Sequence, residues 1–180
     1  QLELVLNAEP KPIDLGKCND KYFLNGVGIG FEGAVVKNLS GKKKLPGKTS
    51  FMLTILKKIF FYKEAYYKVE CDEIYIKKYL MLLSVMNGRR AGGGFKIAPE
   101  SAADDGWLDV VTVHRLNVFK RLRYLPVMEK GKHLKLPFIT YFRTKKIIIE
   151  GSVPVQAHLD GEYYTADKME IEILPGKLLF

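Results

Sequence analysis

The feature that most constrains the fold of this chain is a series of segments in which apolar and polar residues alternate and β-branched and aromatic residues are enriched. Such alternation is typical of strands that bury one face. Eight strands are predicted in this way, at 12–18, 22–27, 65–71, 73–86, 107–113, 138–150, 155–160 and 169–174. Because turn signals such as Asn87-Gly88 and Asp105-Gly106 link them closely, the pattern predicts a mainly β domain, an antiparallel sandwich or barrel-like fold.

Three helices are predicted between the strands, at 31–39, 50–62 and 117–130. The second helix carries an apolar stripe at helical spacing, with Lys57 and Lys58 off that stripe. Asn117 can cap the third helix at its start, and Gly131 can end it. A basic, turn-rich segment at 41–47 is predicted to join the first two helices. The prediction is therefore a β-sandwich with helical insertions.

The length of 180 residues and the hydrophobic content of 47% predict one globular domain over residues 1–180. The longest apolar runs are far shorter than the roughly 20 residues of a membrane-spanning helix, so we expect a soluble protein. Cys18 and Cys71 form no CxxC motif, which favours a reducing cytoplasm. The chain begins at Gln1 rather than at methionine, so we expect a fragment of a longer protein.

The formal charge of +9 predicts a positive field that attracts phosphates, anionic lipid headgroups or nucleic acid. Nucleic acid is the least favoured of these, because the sequence has no basic helix and no interleaved aromatic platform. A non-catalytic sandwich that binds an anionic lipid or membrane surface is the main alternative to an enzyme.

The segment Gly28-Ile29-Gly30-Phe31-Glu32-Gly33 matches the GxGxxG pattern between a predicted strand and a predicted helix. The acid that binds ribose in dinucleotide folds is missing about 20 residues further on, where Thr49, Ser50 and Phe51 stand. These glycines are therefore interpreted as permitting a tight strand-to-helix turn.

A second glycine-rich segment follows Asn87 and contains Arg89, Arg90 and the run Gly92-Gly93-Gly94. Consecutive glycines allow backbone N–H groups to converge on an anion, while the two guanidinium groups supply further donors. A flexible hairpin loop with exposed arginines explains the same residues about equally well.

Two acidic turns are candidate sites. Asp104, Asp105 and Asp109 bracket a Gly-Trp pair and could hold a hard cation, although Asp-Gly is also ordinary turn chemistry. Asp160 and Glu162 flank Gly161 at a strand end, where one acid could act as a base while the other binds metal or orients it. A plain hairpin turn is the alternative there.

The three histidines lie far apart in the sequence, without the spacing of metal ligands. His114, His133 and His158 are therefore interpreted as structural or surface residues.

Several of these motifs, in the order in which they occur, resemble one family, the diacylglycerol kinase catalytic-like group of bacterial lipid kinases and sphingosine kinase relatives. The residues that carry the resemblance are Phe23-Leu24-Asn25, Gly28, Gly30, Asn87, Gly92-Gly93-Gly94, Pro99, Asp105-Gly106-Trp107-Leu108-Asp109 and Asp160-Gly161-Glu162. The likeness covers nearly the whole chain and matches the family's C-terminal domain, a β-sandwich with helical insertions.

The resemblance implies phosphoryl transfer from ATP, with Mg²⁺, to a diacylglycerol-like or sphingoid lipid hydroxyl. Asp160 would then be the general base, and Glu162 would support it or face metal. Asp104, Asp105 and the Trp107 carbonyl would match a structural Mg²⁺ site. The cleft would be lined by Asn87 and by the loop that contains Arg89, Arg90, Gly92, Gly93 and Gly94.

The family's GGDGT signature for nucleotide phosphates is absent from these 180 residues. The resemblance places that signature in an N-terminal nucleotide-binding α/β domain, which is an expected partner of this chain, and the fragment alone is expected to be inactive. The other expected partners are a lipid substrate and the inner face of a membrane, approached from the cytoplasm. A homo-oligomer remains open.

Overall fold

The computed structural model describes residues 10–39, 48–72 and 74–179, without the side chains of 48–51. The predicted linker at 41–47 and the first residue of the predicted strand at 73–86 lie outside this part. Its strands and helices, in chain order, are β1 (Pro12–Cys18), β2 (Lys21–Phe23), β3 (Gly26–Gly30), α1 (Phe31–Leu39), α2 (Lys48–Phe61), β4 (Ala65–Cys71), β5 (Ile74–Met86), β6 (Leu108–His114), α3 (Val118–Glu129), β7 (Ile139–Thr144), β8 (Lys146–Leu159) and β9 (Glu162–Leu179).

The strands form one antiparallel sheet in the order β2-β1-β9-β8-β3-β5-β6-β7, with β4 paired to both β5 and β8. Strands β3 and β4 share one position between β5 and β8. Gly26–Gly30 pairs with the second half of β5, and Ala65–Cys71 continues in the same direction along its first half. The chain therefore leaves the sheet after β3, forms helices α1 and α2, and returns as β4 to the same strand position.

Two core clusters lie on opposite faces of the sheet, as the neighbours Val110 and Val111 of β6 show by belonging to different clusters. The first cluster joins Cys18 and Phe23 from one end of the strand order to Val110 near the other end. The sheet must therefore fold over this cluster, which makes it sandwich-like and confirms the predicted fold class. Helices α1 and α2 cover the second cluster, to which they contribute Phe31, Val35, Ile55 and Ile59.

Most of the predicted elements are confirmed, with corrections to three strands. The strand predicted at 169–174 is much longer and runs over Glu162–Leu179 as β9. The predicted strand at 22–27 is broken at Leu24 and Asn25, and the predicted strand at 138–150 is broken at Lys145. The second part of the strand predicted at 138–150 continues without a break into the strand predicted at 155–160, and together they form β8. The pairing of β8 with β9 shifts register between Glu150 and Val155. Short gaps of this kind leave the apolar pattern intact, so the pattern cannot reveal them.

The ends of the third helix are as predicted. The Asn117 side chain accepts a hydrogen bond from the Lys120 N–H at 2.9 Å, and Gly131 has a φ of +72° just beyond the helix. No helix of the described residues is long and apolar enough to cross a bilayer.

The turn from β3 into α1 requires its glycines, as predicted. Gly30 has a φ of +79°, a left-handed conformation that side chains rarely adopt. A Cβ atom on Gly33 would overlap the backbone of Gln156 and Ala157 in β8. The glycines therefore let α1 pack directly on the sheet.

Candidate active site

Asp160 lies in the turn between β8 and β9, and its carboxylate is held by three backbone N–H groups. Oδ2 accepts from Leu24 at 2.6 Å, while Oδ1 accepts from Asn25 at 3.0 Å and from Gly26 at 2.8 Å. A carboxylate has about four lone-pair positions, so one remains available on Oδ2. Asp160 is exposed, which leaves that position open to a ligand.

This arrangement explains the break between β2 and β3. The N–H groups of Leu24 and Asn25 are directed to the Asp160 side chain, and the Asp160 N–H donates to the Gly26 carbonyl at 3.1 Å. The side chain of a turn residue, Asp160, thus takes the place of regular sheet pairing for Leu24 and Asn25. The residue also has a φ of +48°, which aspartate tolerates better than most residues.

Asn87 supports the same turn from within the protein. Its Nδ2 donates to the carbonyls of Leu24 at 2.8 Å and Asp14 at 3.0 Å. Asn87 is fully buried and is not among the residues that line the cavity described below. It therefore positions the Leu24 backbone, whereas the sequence had predicted a cleft-lining residue.

The triple-glycine loop lies beside this turn. Gly92, Gly93 and Gly94 have φ values of +52°, +77° and +106°, so glycine is required along the whole run. The Asn25 side chain donates to the Arg90 carbonyl at 2.8 Å, which links the loop to the Asp160 turn.

The two arginines of the loop have different surroundings. Arg90 donates from Nη1 to the Gly94 carbonyl at 3.0 Å and lines the cavity, so its charge lies at the cavity rim. Arg89 donates from Nε to the Ser101 carbonyl at 2.8 Å and is not among the lining residues. Arg89 thus holds the base of the loop.

A cavity of about 760 Å³ lies beneath these groups. Its polar rim contains Asn25, Arg90, Gly92, Gly93, Gly94, Asp160, Gly161 and Glu162. Its apolar walls come from the helices, the sheet and the loop after β5, and include Phe31, Val35, Ile55, Ile59, Met81, Leu82, Phe95, Ile97, Val113, Leu116, Leu125 and Met128. The site is thus a largely apolar chamber with Asp160 and Glu162 at its rim.

Glu32 and His158 form a buried polar pair on the wall, near the rim. Glu32 Oε2 accepts from the Ser84 hydroxyl at 3.0 Å and lies 3.7 Å from His158 Nε2. His158 Nδ1 accepts from the Gly161 N–H at 3.2 Å, so the pair is connected to the Asp160 turn.

Sequence reasoning gave Glu32 no role and took His158 as structural or surface. The available signal was an acid in the first turn of a helix that is otherwise apolar on its inner side. His133, also expected to be structural, is fully buried and lies 3.0 Å from the Ile97 carbonyl through Nε2.

The acidic loop before β6 lies apart from this cavity. None of Asp104, Asp105 and Trp107 is among the lining residues. Asp105 forms an ion pair with Arg143 through Oδ2 and accepts from the Trp107 N–H at 3.1 Å through Oδ1. No group of three or more metal-ligating side chains occurs among the described residues. Arg143 therefore neutralises the Asp105 carboxylate, one of the groups that the resemblance implies for a structural Mg²⁺ site, and a cation at Asp105 would have to displace it.

Asp109, the third acid of that segment, is fully buried. The Tyr141 hydroxyl donates to Oδ1, and Arg143 Nε lies 3.7 Å from Oδ2. Burial raises the pKa of Asp109 above its ordinary value, and the hydrogen bond from Tyr141 opposes that rise. The residue is a structural acid of the sheet rather than a cavity group.

The fold and the site define a sandwich-like β domain with a largely apolar cavity. The chain matches, over residues 25–180, the family model described as the YegS C-terminal NAD kinase beta sandwich-like domain, and it belongs to that family. The predicted resemblance to the C-terminal domain of bacterial lipid kinases is thereby confirmed.

The relatives carry matching names. The chain is 36% identical over 178 residues to a probable lipid kinase YegS-like of Pseudomonas putida, covering 97% of this chain and 57% of that protein. It is 26% identical over 162 residues to the diacylglycerol kinase of Bacillus subtilis, covering 89% of this chain and 54% of that protein. The chain thus spans somewhat more than half the length of these relatives.

A solved structure agrees. A crystal structure of a Bacillus anthracis protein assigned as a diacylglycerol kinase superposes with a TM-score of 0.75 at 26% identity. The match covers 97% of this chain and 57% of that one.

Proposed function

We propose that this chain is the substrate-side domain of an ATP-dependent lipid kinase that phosphorylates the hydroxyl of a diacylglycerol-like or sphingoid lipid. The observation that carries the proposal is the cavity of about 760 Å³, with Asp160 and Glu162 at its rim and apolar walls behind them. This volume falls within the roughly 300–1,000 Å³ of ordinary ligand sites. The kinase names of the relatives support the same reaction class.

The separation of polar rim and apolar interior matches the two parts of a lipid alcohol. An acyl or sphingoid chain would be buried among side chains such as Val35, Ile59 and Leu116, where it gains the hydrophobic free energy of leaving water. The hydroxyl would remain at the rim, next to Asp160. A small soluble alcohol would leave most of the cavity unfilled.

Asp160 would serve as the base for that hydroxyl. The open lone-pair position on Oδ2 can accept the hydroxyl proton while the lipid oxygen attacks phosphorus. The N–H groups of Leu24, Asn25 and Gly26 would hold the carboxylate in a fixed orientation throughout. Glu162 lies on the same rim and would assist through its charge.

The glycine loop would hold the transferred phosphoryl group from the other side. The backbone N–H groups of Gly92 and Gly93 would donate to that group, whereas the Gly94 N–H donates to the Ala91 carbonyl at 3.2 Å. Arg90 supplies a positive charge at the same rim. Phosphoryl transfer depends mainly on positioning and charge neutralisation, which are the contributions these groups can make.

The nucleotide site itself would come from a second domain. ATP with Mg²⁺ would be bound by the N-terminal α/β domain that the resemblance implies, and the two domains would close around the rim of the cavity. The relatives named as kinases are long enough to contain such a domain.

An assay of the complete kinase tests this proposal. Transfer of the γ-phosphoryl group from ATP would be measured with diacylglycerol, sphingosine and glycerol as acceptors. We expect transfer to at least one of the two lipids and little to glycerol, since glycerol cannot use the apolar walls. Transfer to none of them would contradict the assignment and favour a non-catalytic lipid-binding module. Equal transfer to all three would contradict the assignment of the apolar walls to a lipid acceptor.

A further inference from the structure

Helix α2 has two apolar faces. Its inner face contributes Ile55 and Ile59 to the cavity wall. Its outer face exposes Leu53, Phe60 and Phe61, which are 62%, 54% and 77% accessible. Together with Lys57, these three residues follow the i, i+4, i+7, i+8 spacing of a single helical stripe, here called the outer stripe.

The outer stripe is fixed in place rather than free to turn inward. The buried Arg121 donates from Nη1 to the carbonyls of Ile59 at 2.8 Å and Tyr62 at 3.1 Å, which flank the two phenylalanines. Its Nη2 lies 2.6 Å from the Glu64 carboxylate. The backbone on both sides of Phe60 and Phe61 is thus held by a buried ion pair. The inward-facing positions of α2 are already occupied by Ile55 and Ile59, so the two phenylalanine side chains stay on the outside.

Basic side chains accompany the outer stripe. Lys57 belongs to it, and Lys63 is exposed two residues after Phe61. Arg115 is also exposed and lies next to the end of α2, since its Nε is 3.9 Å from Glu64 Oε2. Aromatic residues alternating with lysine are typical of helices that lie in the headgroup region of a membrane.

We propose that the outer stripe docks on an anionic lipid bilayer, so that α2 separates the bilayer on its outside from the cavity on its inside. This inference rests on the proposed function, because a lipid acceptor must pass from a bilayer into the cavity. Charge complementarity favours the bilayer over a second protein copy. An apolar protein interface would bury Lys57 unpaired, whereas anionic headgroups neutralise it.

Vesicle sedimentation of the intact protein tests the docking. The variant Phe60→Ser/Phe61→Ser would be compared with wild type and with the matched control Tyr22→Ser/Tyr75→Ser, which removes two aromatic residues of similar exposure elsewhere. We expect wild type and control to bind vesicles with about 40 mol% phosphatidylglycerol and to bind far less at high salt. The Phe60→Ser/Phe61→Ser variant should bind at least about tenfold more weakly.

An activity assay separates this inference from the proposed function. The variant should lose phosphorylation of long-chain diacylglycerol in vesicles but keep that of a short-chain diacylglycerol dissolved as monomers. If wild type phosphorylates neither of these lipids nor sphingosine, the proposed function fails, while the sedimentation result still decides the docking. Docking is overturned if the variant sediments like wild type, if wild type binds neutral vesicles equally well, or if the substitutions abolish self-association instead.

Discussion

Asp160 and Asn87 hold opposite ends of the same residue. Asp160 accepts a hydrogen bond from the Leu24 N–H at 2.6 Å, and Asn87 donates one to the Leu24 carbonyl at 2.8 Å. One of these two side chains is exposed at the cavity rim and the other is fully buried. The buried amide therefore fixes the backbone that in turn fixes the proposed catalytic base, Asp160.

Replacing Asp160 by asparagine should abolish most phosphoryl transfer and preserve the fold. Loss of a general base typically costs about 10²–10⁴ in rate. The new amide would direct N–H groups at the Leu24 N–H, so we also expect a loss of about 1–2 kcal/mol in the free energy of unfolding. Initial rates and urea unfolding measure the two effects. Glu162→Gln is the control and should lower the rate less; near-wild-type turnover by Asp160→Asn would remove it from catalysis.

Narrowing the cavity should change which lipids are used. Val35 is buried on α1 and lines the chamber, so Val35→Phe would fill part of it. We expect KM for long-chain lipids to rise by about tenfold while short-chain lipids are affected little, with an overpacking cost of about 1–3 kcal/mol. The exposed substitution Val153→Phe serves as control. An unchanged chain-length profile would place the acyl chain elsewhere.

The ion pair between Arg121 and Glu64 should be important for stability. Both side chains are nearly inaccessible, so Arg121→Met would leave the buried Glu64 carboxylate with only the exposed Arg115, 3.9 Å away, as a cationic partner. The cost should be up to about 3–5 kcal/mol. Adding Glu64→Gln should recover part of that loss. Lys68→Met, which breaks the exposed pair with Glu150 at 3.7 Å, should cost less than about 1 kcal/mol. Denaturant unfolding of wild type, Arg121→Met, Arg121→Met/Glu64→Gln and Lys68→Met measures these differences. Equal losses for Arg121→Met and Lys68→Met would contradict the burial argument.

Asp109 should make stability depend on pH. Because burial raises its pKa in the folded state, the folded protein favours the protonated acid. The stability that protonated Asp109 contributes to the folded state is fully present below about pH 4, the pKa of an ordinary aspartate. It is lost as the pH rises through the higher pKa of Asp109 in the folded protein. Asp109→Asn cannot ionise, so wild type should lose stability relative to this variant as the pH increases.

Unfolding free energies measured across that pH range check this expectation. Tyr141→Phe removes a hydrogen bond that lowers the pKa of Asp109 and should move the loss to higher pH. A constant difference between wild type and Asp109→Asn at every pH would show that the carboxyl does not titrate as expected.

Much of the fold could be predicted from local pattern. Alternation located the strands, and the cap at Asn117 and the turn at Gly30 followed from side-chain chemistry and from the absence of a Cβ atom. The strand break at Leu24 could not be predicted, because its cause is a carboxylate from a distant hairpin. Long-range hydrogen bonding of this kind leaves no local signal.

Only part of the candidate site could be predicted, again because long-range contacts leave no local signal in the sequence. The resemblance pointed to Asp160 and the triple-glycine loop, and the structure places both at one rim. The resemblance could not show that Asn87 is buried behind the rim and does not line the cavity wall. Glu32 was missed because its neighbourhood with His158 arises only when α1 packs on β8.

Because β3 and β4 share one strand position, the segment between them that contains α1 and α2 could be exchanged as a unit, here called a cassette. Its two stems, Gly30 and Ala65, pair with Leu82 and Leu80 of the same strand, so the chain leaves and rejoins the sheet at almost the same point. Cassettes of different length could be grafted between these stems without altering the register of the strands around them. The helices that wall the cavity could thus change in length while the hairpin that carries Asp160 keeps its place.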